Sequence, residues 1–427
     1  MNKIISIFIL FYFSYVSLTY SQWVSQYSDP SMTLRSVWFV NGQTGFAAGT
    51  SGTVLKTTNG GTNWIQVNAN NTDRINSIYF FDANTGIYCA LYGIIRRTTN
   101  GGASWDSVYS GTTNWLYAIS FYGVNGICTG GLGNFNDILL YSTNAGSSWS
   151  IAAQGSPEVY LSAHMVTATL GYAVGEDSSS VPKVGKTANS GSNWSYFTYL
   201  LNSNKGVLYS VHFINLNEGF TAAVDHNNHG AISYTSNGGQ NWSSQLFNNG
   251  LLGIDFPSQN IGYAVGDSGT IFKTTDKGIT WNAQISGISD NLRAVDFVDN
   301  LTGYAVGWYG RILKTTNGGV TSIHQISSEV REFKLYQNYP NPFNPETKIK
   351  FNIRPPLYPL LAKEGTVLVL LKIYDIMGRE VATLINQQLN PGTYEISWDA
   401  SRYTSGIYFY KLISGGNTAI KKMVLLK

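Results

Sequence analysis

The chain has 427 residues, enough for more than one domain, with 12% charged side chains and a formal net charge of +3. Low charge with many Gly, Tyr, Trp, Asn, Ser and Thr residues points to a β-rich extracellular protein and away from a helical cytosolic one. Residues 22–330 carry 13 basic and 17 acidic side chains and residues 331–427 carry 13 and 7, so neither part has the basic footprint of a nucleic-acid binder.

The first element is "MNKIISIFILFYFSYVSLTYSQ". One early lysine, an apolar run, and small residues at Thr19 and Ser21 predict a signal peptide over 1–21, cleaved near Ser21. Ser14, Ser17 and Thr19 break the apolar run and argue against a retained anchor. No other stretch is apolar for long enough to cross a bilayer as a helix, so no transmembrane segment is expected in the mature chain.

From residue 22 to residue 323 the chain repeats itself. "KTTNGGTNW", Lys56 to Trp64, returns in variant form ending at Trp105, Trp149, Trp194, Trp242 and Trp281, and once more ending at Ser322 without its tryptophan. Steps of 39 to 48 residues match one four-stranded propeller blade. The first blade reads as four strands, "LRSVWFV", "GFAAG", "TVLKTT" and "NWIQV", separated by turn residues. Trp23 lies one period before Trp64, on a strand with no blade of its own, and is expected to supply the outer strand of the seventh blade and close the ring.

In each repeat the turn needs an Asn or Asp that can bond the backbone ahead of it, followed by glycines that accept positive φ. Asn59, Asn100, Asn144, Asn189, Asn237, Asp276 and Asn317 take that position. With Thr57, Gly61 and Trp64, the turn resembles the Asp-box of BNR-type propellers, although that motif prefers Asp and only Asp276 supplies it here. The whole repeat, "GYAVG…GxILKTTNGGxxW", resembles the photosystem II stability/assembly factor-like group. That resemblance implies an all-β fold, a seven-bladed β-propeller with N-terminal strand closure, and says little about function.

Residues 324–335 read as a linker. Beyond it, "YPNPFNP" at Tyr339–Pro345, alternating strand segments, and "KKMVLLK" at the end predict a small Ig-like β-sandwich over 336–427. With "IYDIMGREV" and "SGIYFYKL", these motifs resemble the type A C-terminal sorting domain of the type IX secretion system. The resemblance implies export to the cell surface or the medium, recognition by the secretion machinery, and removal of the tail by a sortase. "RPPLYPLLAKEGTV", 354–367, is longer than the usual hairpin at that place and is expected to bulge.

Strand alternation puts the loops before each first strand, and those between second and third strands, on the face opposite the repeated turns. One aligned column near the channel mouth holds Arg35, Asn76, Tyr117, Ser162, Tyr209, Leu252 and Arg293, and the next holds small residues. Arg35, Tyr117, Tyr209 and Arg293, with Tyr92, Trp308 and Tyr309 on nearby loops, could bind a glycan, a peptide or an anion, although amphipathic side chains of this kind more often merely cap a core at its wet end. His226 and His229, close to Asp225 in a long loop, join the ligand-binding candidates; their spacing could hold a metal, but a solvated Asn-rich loop is the expected state, and no metal or cofactor is assigned. His164 is expected to be a satisfied core histidine.

Cys89 and Cys128 fall one place out of step in equivalent strands, so they are expected to face opposite sides and to be two buried thiols rather than a disulfide, since a bridge needs converging Cβ vectors. Two functions compete: a non-catalytic exported binding or scaffold module, and a secreted glycoside hydrolase, sialidase-like or another Asp-box propeller glycosidase. A sialidase-like enzyme would need an arginine cluster, a tyrosine nucleophile and a carboxylate, and other glycosidases need two facing carboxylates. The aligned column offers two arginines and no third, Arg74 being out of register with it, which favours the binding module.

Overall fold

The computed structural model describes residues 23–29, 31–132, 136–319, 324–327, 330, 332–354, 367–400 and 403–427. The expected signal segment, Ser322, and most of the proline-rich stretch 354–367 lie outside the described residues.

The first strands are β1 (Val24–Tyr27), β2 (Leu34–Phe39), β3 (Gly45–Gly49), β4 (Val54–Thr57) and β5 (Ile65–Val67). β2 to β5 form an antiparallel meander in chain order, and five more sheets of the same design begin at Ile75, Leu116, Glu158, Gly206 and Leu251. A last sheet has Leu292–Phe297, Gly303–Gly307 and Ile312–Thr315 in sequence. Its fourth strand is β1, which pairs antiparallel with Ile312–Thr315 through Val24 and Lys314. Among the described residues, 23–319 therefore carry seven four-stranded sheets.

The core lies between successive sheets. All five residues of β3 are buried, as are their counterparts in each second strand, because both faces of those strands are covered. Glycine is needed at Gly45, where a Cβ would come within 2.5 Å of the Phe39 ring. That ring stacks on Tyr304 with centroids 3.6 Å apart, as Phe80 does on Phe46 and Phe297 on Tyr263. Each such aromatic pair contributes roughly 0.5–1.5 kcal/mol beyond the area it buries.

Each innermost strand has a bulge near its start, where one residue is left between paired neighbours. The bulged residues are Arg35, Asn76, Tyr117, Leu161, Tyr209, Leu252 and Arg293. In the fourth sheet this differs by one from the column read in the sequence: Leu161 bulges and Ser162 joins the small residues. Its hydroxyl confirms the shift, since Ser162 Oγ accepts the N–H of Val211 just as Ser36 Oγ accepts that of Ile78.

The C-terminal residues form two further four-stranded sheets around one core with Trp398, Tyr410, Phe351 and Leu412. Within the stretch read as a linker, His324–Ser327 pairs with Gly392–Asp399 and Lys334–Leu335 pairs with Glu346–Ile353, so both are strands of this sandwich. The "YPNPFNP" segment packs on the final strand: Asn341 Oδ1 accepts the Val424 N–H at 2.9 Å, and Phe343 exchanges backbone hydrogen bonds with Val424 and Leu426. No helix among the described residues is long and apolar enough to cross a membrane.

Candidate functional site

The repeated turns and the bulged residues lie on opposite faces. Gly60, inside the first turn, donates its N–H to Gln43 O in the loop joining β2 and β3. At the other end Thr50 N donates to Thr33 O and Leu91 N to Arg74 O, which ties the loops after the second strands to the starts of the first strands.

The turns repeat one hydrogen-bond scheme. Asn59 Oδ1 accepts the Asn63 N–H and the Thr57 hydroxyl, while Thr57 Oγ1 accepts the Gly61 N–H. Asn100, Asn144, Asn189, Asn237 and Asp276 anchor the same four-residue step. Asn317 Oδ1 likewise accepts the Thr315 hydroxyl, and also the Gly319 N–H. The scheme uses an oxygen acceptor and no charge, so Asn serves as well as Asp.

On the opposite face the bulges turn Arg35, Tyr117, Tyr209 and Arg293 inward, and all four are partly buried. Arg74, just before the second sheet's innermost strand, joins them and lies over Trp115, 5.9 Å from the ring. Burial, with Arg293 and Arg74 beside it, pushes the Arg35 guanidinium down to about 9, which leaves it protonated at neutral pH. Burial likewise lowers Arg293, against the pull of Tyr209 and Asp267. The phenols of Tyr117 and Tyr209 are raised by burial, with the arginines opposing. Arg74 Nε and Arg293 Nε are buried and have no hydrogen-bond partner. Sheets one, two and seven thus bring three guanidinium groups together with two phenols.

Two acids stand at the edge. Burial raises the carboxyl of Asp267, opposed by Arg293, and burial raises that of Glu176, opposed by a Ser180 hydrogen bond and by His226. Both act on Tyr209.

Tyr92, Trp308 and Tyr309 are exposed on the loops after second strands, and Trp308 meets Tyr309 edge-on at 6.4 Å. Tyr92 and Tyr309 have φ of 58° and 54°, a strained conformation for a bulky side chain that holds both rings on the rim. His226 is exposed, and His229 Nδ1 lies 3.4 Å from Asp225 Oδ2. Asp225 holds its own loop by accepting the N–H groups of Asn227 and His229, so its carboxylate is occupied by the turn.

The sequence did not place Arg74 in the cluster because it precedes the bulge by two residues. An arginine near the start of the innermost strand in each of sheets seven, one and two was the available signal.

Deeper in the channel wall, Asp296 Oδ2 accepts the Phe39 N–H at 2.7 Å, Asp255 Oδ2 that of Phe297 at 3.0 Å, and His164 Nδ1 that of Phe213 at 2.8 Å. These groups bond one sheet to the next, and the half-buried His164 has its imidazole pushed well down by desolvation and by His212 beside it.

Comparison with known proteins matches residues 16–113 and 227–316 to the family described as photosynthesis system II assembly factor YCF48. Residues 337–426 match the secretion system C-terminal sorting domain. Among solved structures, YCF48 bound to D1 peptide is similar at TM-score 0.55 and 19% identity, over 70% of this chain and 98% of that one. YCF48 from Cyanidioschyzon merolae is similar at TM-score 0.56 and 15% identity, over 69% and 98%. The WD40 propeller domain of Doa1 is similar at TM-score 0.52 and 10% identity, over 69% and 97%. No curated protein matches the chain. The likeness to these structures is one of fold. The chain pairs a propeller similar to those of the photosystem II assembly factor-like group with a type IX secretion sorting domain, which directs it to the cell surface or the medium.

Proposed function

We propose that the protein is a non-catalytic binding module whose propeller mouth takes an anionic group, a carboxylate foremost, of a peptide or glycan outside the cell. The observation that carries this reading is the gathering of Arg35, Arg74 and Arg293, with Nε of the latter two buried and unpartnered. Buried donors left without an acceptor cost free energy, and an arriving carboxylate would recover it through charge-assisted hydrogen bonds. Tyr92, Trp308 and Tyr309 on the rim would cover the apolar part of the ligand. A YCF48 propeller of similar fold is bound to a peptide, which supports a peptide as the ligand class.

In this reading residues 22–323 form a seven-bladed ring that β1 closes, supported by its pairing with Lys314 and by the Phe39–Tyr304 stack. Residues 336–427 address the chain to the secretion machinery and a sortase, and the strand His324–Ser327 extends the sandwich into the proposed 324–335 linker.

A second reading, a sialidase-like hydrolase, is favoured by one observation: Arg74 supplies the third arginine, and Glu176 and Asp267 lie near Tyr209. Against it, Asp255 and Asp296 are tied to backbone N–H groups between sheets and are not a facing acid pair at the mouth. Incubating the exported protein with a fluorogenic sialoside, and screening it on glycan and peptide arrays, separates the two. Binding without turnover supports the module; turnover that is lost in an Arg35→Ala, Arg293→Ala double variant would replace it with the enzyme.

A further inference from the structure

We propose that Cys89 and Cys128 are joined by a disulfide in the exported protein, clamping the second sheet to the third. Cys89 lies on Gly86–Ala90 and Cys128 on Asn125–Leu132, both fully buried and both free thiols in the structure.

Strand alternation fixes where they point. Ile87, two residues before Cys89, reaches towards Gly146 of the third sheet, so Cys89 faces the third sheet as well. Ile127, adjacent to Cys128, reaches Gly171 and Gly191 of the fourth sheet, so Cys128 faces back to the second. The cysteines do face opposite sides of their own sheets, as their spacing suggested, but in neighbouring sheets opposite faces meet.

Their positions along the strands match too. Cys89 pairs across its sheet with Ser77 and Cys128 with Ile119. Ser77 Oγ accepts the Ile119 N–H at 3.2 Å, which holds the two sheets level at that point. Both thiols belong to one apolar cluster with Ile87, Leu116 and Trp149, and Cys89 stands beside the Cys128 thiol and adds to its upward shift.

Secreted proteins pass through compartments where disulfides form and persist. Burial pushes the Cys128 thiol up, which disfavours its thiolate once the sheets have packed, and oxidation belongs to the folding stage before they close. The co-reactant is a disulfide, carried by a thiol–disulfide oxidoreductase or a small molecule. One cysteine thiolate attacks it, forms a mixed disulfide and releases the oxidant's first thiol. The other cysteine then displaces the second thiol as the Cys89–Cys128 bond forms. Two electrons and two protons pass from the cysteines to the oxidant, whose disulfide is left as two thiols.

The test uses the full exported chain collected outside the cell, unfolded in iodoacetamide without reductant and digested. The expected product is a linked pair of peptides two hydrogen atoms lighter than their sum, with neither cysteine alkylated until reductant is added. Alkylation of both cysteines in the unreduced sample overturns the proposal. A second reading comes from thermal melting of the same protein: reductant should lower the parent's midpoint by several degrees and leave that of a Cys128→Ala variant unmoved. A parent midpoint indifferent to reductant also overturns it.

Discussion

Trp23 meets Phe297 edge-to-face, with ring centroids 5.7 Å apart at 88°. Trp64 meets Phe39 in the same way at 5.8 Å, Trp105 meets Phe80 at 5.9 Å, and Trp242 meets Phe213 at 6.0 Å. A residue at the start of the propeller therefore fills, in the last sheet, the place that every other turn fills with its own tryptophan, and Trp23 Nε1 donates to Gln284 Oε1 of the sixth. Trp23→Ala should destabilise the propeller by about 3–5 kcal/mol, the range for removing a large buried aromatic. Thermal melting of the full chain measures it, and an unchanged midpoint would show that β1 does not hold the ring.

Asp296 makes the stability of the same junction depend on pH. Burial, with Asp255 beside it, holds its carboxyl well above the usual range, while its Oδ2 accepts the Phe39 N–H. His212 Nδ1 faces Asp255 at 3.3 Å, and the His164 ring lies tilted beside His212, with centroids 4.6 Å apart at 42°. A carboxyl whose folded pKa is raised contributes stability that is full below its unfolded value, near 4, and is lost as pH rises through the folded value. Asp296→Asn keeps an acceptor for Phe39 and removes the titration. The variant should melt several degrees above the parent at pH 8, and the gap should shrink towards pH 4. A gap that stays constant across that range would refute the assignment.

The turn scheme predicts a difference between two substitutions at one site. Asn100 Oδ1 accepts the Ser104 N–H at 2.9 Å. Asn100→Ala removes that acceptor and should cost about 1 kcal/mol, whereas Asn100→Asp preserves it and should be near neutral. Urea denaturation midpoints of the two variants make the comparison.

Removal of residues 337–427 should leave the chain inside the cell envelope, because that segment is the sorting domain. Immunoblots of envelope and medium fractions report it; the truncated chain in the medium at parental amounts would mean that another segment directs export.

Much of the fold was legible because the repeat writes each sheet separately, with a strand of small residues, an Asn or Asp turn and a closing aromatic. The site was less so. A bulge adds one residue to a strand without any mark in composition, which is why Ser162 was read in the place of Leu161. Arg74 reaches the mouth from two residues before its sheet's bulge, so a single aligned column could not contain it. The cysteines show the same limit: spacing gives the face of one sheet, and only the order of neighbouring sheets says which faces meet.

Titration calorimetry of the exported protein with an acidic peptide, its free C-terminal carboxylate compared with the amide, tests the binding role most directly. Saturable binding that favours the carboxylate and weakens ~10-fold or more in both Arg74→Ala and Arg293→Ala, about 1.4 kcal/mol each, is the predicted result. Binding that ignores the carboxylate, or that survives in both variants while they melt like the parent, would contradict it.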